Sequence, residues 1–137
     1  MDYTTVLAKA RQTLEQRKDR SAWSRGVTMY AFDLLDSLEE AAESGYIDAD
    51  DLTSWAAVKS AMLNGASSWS HYSRSGCALA YNGDIAARLC CPSMLRRLKG
   101  GERNPNSAED WIDVQARALD IAANRVWNAI RRAQRGE

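Results

Sequence analysis

Toward its C-terminus the chain carries Ile112, Ala116, Leu119, Ala123, Val126 and Ile130, separated alternately by four and three residues. That spacing returns one side chain per turn to the same face of an α-helix and fits neither a strand nor a loop. Ser107, with Asp110 three residues on, makes a capping-box-like start, and Glu109 and Asp110 suit the positive end of the helix dipole. Arg131, Arg132 and Arg135 suit the opposite end. A long C-terminal helix, buried along one stripe for about five turns, is the first constraint on the fold. Composition strengthens it. Leu, Ile, Val and Phe together number 23 of 137 residues, whereas Ala alone numbers 22, with five Trp and five Tyr. Ala is the best helix former, and small residues let helices approach closely while Trp fills the gaps. The expected class is all-α.

The rest of the chain divides into shorter helical segments. The spacing predicts a helix over about 4–18 with Val6, Leu7, Ala10 and Leu14 on one face. Asp19-Arg20-Ser21 supplies a break and an N-cap. A second helix over 22–44 carries Trp23, Val27, Tyr30, Leu34, Leu38 and Ala41, and Gly45 ends it. A third, capped by Asp48 or Asp50, spans about 51–64 with Leu52, Trp55, Ala56 and Met62 as its apolar side. Residues 65–76 are Ser-rich and support helix extension or loop equally, and residues 77–81 read as a short extended piece or another turn of helix. Asn82-Gly83 marks a turn, followed by short helices over 85–89 and 94–99. These segments sum to a compact single-domain bundle of about five to six helices over 1–137, with no repeat and no dividing linker.

Several function classes find little support. The start, Met1-Asp2-Tyr3-Thr4-Thr5, has neither the basic nor the apolar region of a signal peptide, and no run is long enough to span a bilayer. Three Cys, two of them adjacent, do not suit a disulfide framework, so a cytoplasmic protein with reduced thiols is expected. The single His71 lies among hydroxyl residues without a nucleophile elbow or a phosphate loop. A zinc site from His71, Cys77, Cys90 and Cys91 lacks standard ligand spacing. No catalytic residue, cofactor or metal is therefore assigned, and a non-enzymatic protein is expected.

Charge carries more information. The net charge is zero, yet residues 1–68 sum to −4 and residues 69–137 to +4. Between Asp33 and Asp51 there are eight acidic residues and no basic one. Asp33, Asp36, Glu40 and Glu43 form one helical stripe opposite Leu34 and Leu38. The simplest account is the solvated outer face of an amphipathic helix. The sharper one is a row of carboxylates offered to a basic groove, with Trp69 and Tyr72 as aromatic anchors. A second copy of the chain is another candidate partner. The opposite sign gathers in residues 84–105, where Arg88, Arg96, Arg97, Lys99 and Arg103 outnumber Asp84 and Glu102. Two short helices flanking Cys90-Cys91-Pro92 resemble the helix-turn-helix core of phage-repressor-like proteins, although the turn lacks the usual Gly. That resemblance implies DNA binding through those five basic residues.

A wider pattern completes the picture. Trp69-Ser70-x-Tyr72-Ser73, Asp84-Ile85-Ala86, Leu89-Cys90-x-Pro92-Ser93, Gly101-Glu102-Arg103-Asn104-Pro105-Asn106 and Asp113-Val114-Gln115-Ala116-Arg117-Ala118-Leu119 occur together and in this order. The set resembles small proteins carried by prophages and conjugative elements of Gram-positive bacteria. The resemblance implies a setting rather than a chemistry: small inhibitors of host defence, anti-CRISPR proteins among them, or small regulators. The expected function is inhibition of a host protein such as a CRISPR effector or another nuclease. The alternative is a helix-turn-helix regulator.

Overall fold

The computed structural model describes residues 2–65 and 108–136, with side chains outside 63–116 apart from that of Ala22. Among the described residues the chain is entirely helical: α1 (Tyr3–Glu15), α2 (Ala22–Glu43), a short 3-10 turn (Asp51–Thr53), α3 (Trp55–Gly65) and α4 (Ala108–Gln134).

The first three helices each begin where a small polar side chain can satisfy an otherwise unpaired backbone N–H. Asp2 accepts from the Thr5 amide at 2.8 Å, Ser21 from Ser24 at 3.0 Å and Ser54 from Ala57 at 3.2 Å. The hydrogen bond from Thr5 holds the Asp2 carboxyl below the usual carboxylate range. Replacing Ser21 with alanine is expected to cost about 1 kcal/mol, read as a lower denaturation midpoint at unchanged slope. The end of α2 is equally explicit. Gly45 adopts φ +80°, its N–H donates to Ala42 O at 3.2 Å, and the Tyr46 N–H donates to Ala41 O at 2.9 Å. This pair of bonds is the Schellman arrangement, which uses the left-handed conformation that glycine tolerates.

The third segment departs from the sequence expectation. Asp48 and Asp51 cap each other's backbone, with the Asp48 N–H donating to Asp51 Oδ2 and the Asp51 N–H to Asp48 Oδ1, each at 3.0 Å. That reciprocal pairing closes a 3-10 turn, and a separate helix starts after Ser54. Ala56 is exposed, and the buried side is completed by Val58 and Ala61 beside Leu52 and Met62.

The core gathers the inner faces of all four helices. Val6, Leu7, Ala10 and Leu14 of α1 meet Val27, Tyr30, Ala31, Leu34, Leu35 and Leu38 of α2. Against both packs α4, whose buried face is broader than one aliphatic line. It includes Ala118, Ala122, Ala129 and Ala133 beside Ala123, Val126 and Ile130. A face that serves two neighbouring helices must span a wide arc, and alanine lets both backbones come near. At the far end Gln134 Nε2 donates to Leu52 O at 2.9 Å, fastening α4 to the 3-10 turn. Trp55 and Trp127 pack with centroids 5.3 Å apart and ring planes tilted by 38°, with Lys59 over the first ring and Arg131 over the second.

One polar junction lies inside this framework. Asp19, between α1 and α2, accepts from Ser24 Oγ at 2.6 Å, Arg17 Nε at 2.9 Å and Thr28 Oγ1 at 3.1 Å. Arg125 of α4 donates from Nη1 to Ser24 O and Thr28 Oγ1, and from Nη2 to Ser24 Oγ. Burial opposes the Asp19 charge, but its hydrogen bonds from Ser24, Thr28 and Arg17 outweigh it, so the carboxyl titrates below its ordinary value.

Candidate functional site

The buried residues of α2 define one side, so the opposite side must face outward. Met29, Asp33, Asp36, Glu40 and Glu43 recur on that side at alternating spacings of four and three. The line from Met29 to Glu43 runs about 21 Å along the helix. Glu40 and Glu43 are exposed, Asp36 is exposed, and Asp33 is half-buried.

These carboxylates are not electrostatically equivalent. Arg11 reaches across from α1, donating from Nη2 to Asp36 Oδ1 and from Nε and Nη2 to Glu39 Oε1 at 3.1 and 3.0 Å. Its guanidinium also lies over the Phe32 ring, 5.8 Å from the centroid. Burial works against the Arg11 charge, yet its hydrogen bonds to Asp36 and Glu39 prevail and raise its pKa above the ordinary guanidinium value. Asp36 and Glu39 are thus partly neutralised. Asp48 and Asp51 are occupied in their reciprocal caps. Glu40 and Glu43 form no ion pair with a described residue, and they carry the uncompensated charge of the face.

Apolar groups frame this charge. Met29 is 48% exposed at the N-terminal end of the line, and Tyr46 is 64% exposed just beyond its C-terminal end. A groove of about 300 Å³ runs along the α1 edge, lined by Tyr3, Thr4, Leu7, Arg11, Glu39 and Glu43. No protein-family model, curated protein or solved structure matches the chain. The geometry therefore stands alone. It offers fixed negative charge on a rigid helix with an apolar contact at either end, which suits contact with a basic surface.

Met29 and Tyr46 were not among the sequence candidates. Met29 was legible in principle, because it sits four residues before Asp33 on the same line. Nothing local marks Tyr46, whose exposure follows from the Schellman turn. Trp69, Tyr72, Arg88, Arg96, Arg97, Lys99 and Arg103 lie outside the described residues, as do His71 and all three Cys. Among the described residues no group of three or more His, Cys, Asp or Glu could hold a metal ion, and no helix is long and apolar enough to cross a membrane.

Proposed function

We propose that this chain is a non-enzymatic interaction protein of a phage or other mobile element that inhibits a host defence nuclease in the manner of an anti-CRISPR protein. It acts in the cytoplasm as a single-domain bundle of five to six helices. The acidic face of α2 covers a basic surface that would otherwise hold nucleic acid. The observation that supports this reading is the exposure of Glu40 and Glu43 without a described basic partner, in line with Met29. Carboxylates held at helical spacing need no reorganisation on binding, and fixed charge of one sign speeds encounter with the opposite sign. Met29 and Tyr46 supply apolar contact at the ends of the charged row.

The test is charge reversal. A Glu40→Lys/Glu43→Lys double variant is expected to stay folded and to lose co-purification with a nuclease complex from its host. Retained capture by that variant sinks occlusion by the α2 face. Retardation of duplex DNA by the wild-type chain, lost in an Arg96→Glu/Arg97→Glu variant, would instead support the helix-turn-helix alternative.

A further inference from the structure

On the other flank of α1, away from the acidic face, a groove of about 380 Å³ opens against α4. Three arginines line it: Arg17 from just beyond α1, and Arg125 and Arg132 from one face of α4. Thr13, Gln16 and Asn128 line it too, as uncharged hydrogen-bonding groups, and among the described residues no carboxylate does. Asp19 is the acid ion-paired with these arginines among the described residues, at 2.9 Å from Arg17 Nε and 3.8 Å from Arg125 Nη1. One carboxylate against three guanidiniums leaves the cluster at a net charge of +2.

The three arginines differ in freedom. Arg125 is held by Ser24 and Thr28, and those bonds use three of the five donors a guanidinium carries. Arg17 and Arg132 are exposed at the surface of the groove, and Arg132 forms no ion pair with a described residue. Burial and the charge of Arg17 both lower the Arg125 pKa, with Asp19 opposing them. An anion entering the groove would relieve that repulsion.

We propose that this groove binds a phosphomonoester dianion, gripped by Arg17 and Arg132 against the fixed Arg125. The ligand charge matches that of the cluster, and guanidinium forks suit tetrahedral oxyanions. The volume lies near the lower end of the small-ligand range, roughly 300 to 1,000 Å³, leaving room for an organic portion beyond the phosphate. The site is independent of the α2 face and stands whether or not that face binds a nuclease.

Titration calorimetry of the full chain at low salt and about pH 8, where monoesters are dianions, tests this with inorganic phosphate, AMP, adenosine and acetate. Phosphate and AMP are expected to bind, and adenosine and acetate are not. Arg132→Gln is expected to weaken AMP binding roughly tenfold, and Arg17→Gln/Arg132→Gln further. AMP should raise the thermal midpoint of the wild type and not of the double variant. Because Arg132 is exposed, its single variant reports binding even where the double variant is destabilised. Binding of phosphate without AMP would overturn the ester, and equal binding of acetate would overturn the dianion. Undiminished AMP affinity in Arg132→Gln and in the double variant, or no binding of either phosphate species, would overturn the site.

Discussion

Replacing Asp19 with alanine is expected to cost about 3 kcal/mol of stability. Asp19 gathers Ser24, Thr28 and Arg17 onto one carboxylate oxygen and lies 3.8 Å from Arg125. Side-chain exposure is 10% for Asp19 and 15% for Arg125, so water compensates little for the lost charge. The loss corresponds to roughly 10 °C in thermal midpoint for a chain of this size. Because the Asp19 carboxyl is depressed in the folded state, its ionisation stabilises the fold above its ordinary pKa near 3.8. That contribution fades as pH falls below this value toward the folded-state pKa. Wild-type stability should therefore drop more steeply below about pH 4 than that of Asp19→Asn, measured by urea denaturation at stepped pH. A double-mutant cycle with Arg125→Met should return a coupling of at least roughly 1 kcal/mol. Additive losses would show that the junction is two independent contacts.

Leu38→Ala is expected to remove a further 3 kcal/mol or so, within the range of about 2 to 5 kcal/mol for buried leucines. Leu38 is fully buried on α2, inside the core that the helices share, and the groups around it cannot collapse without moving helix backbones. Two residues further on, Glu40 faces outward, and Glu40→Lys is expected to change stability by no more than about 0.5 kcal/mol. Paired chemical denaturation of the two variants checks both values. The contrast matters for function, because a charge-reversed α2 face that remains folded makes a binding loss interpretable. A loss above about 1 kcal/mol in Glu40→Lys would mean that the outer face also supports the fold.

Local pattern made α1 and α2 legible. All four residues assigned to the inner face of α1 are buried, because a strict apolar spacing leaves only one face to bury. The C-terminal helix was equally clear as a helix, but its contact surface was underestimated. Ala118, Ala122, Ala129 and Ala133 contribute little hydrophobicity each, so they do not stand out against larger side chains. The third segment failed for a different reason: Asp48, Asp51 and Ser54 are all good caps, and only the folded turn decides which cap serves which element. The acidic stripe was visible as a charge run. Its partial neutralisation was not, because Arg11 comes from 25 and 28 residues away. The arginine groove is harder still, since Arg125 meets Ser24 across 101 residues.

That last separation governs how the molecule assembles. α1 shares a more extensive contact with α4 than with α2, its neighbour along the chain. The usual advantage of helical proteins, contacts made between consecutive segments, is therefore given up in part, and folding slows as contact order rises. The apolar face that α1 and α2 present is covered only with α4 in place. Arg125 then acts as a register pin: it finds Ser24 O and Thr28 Oγ1 only when α4 arrives at the right turn. A one-turn slip of α4 would part that guanidinium from its acceptors, so a single polar side chain selects one register for the helix.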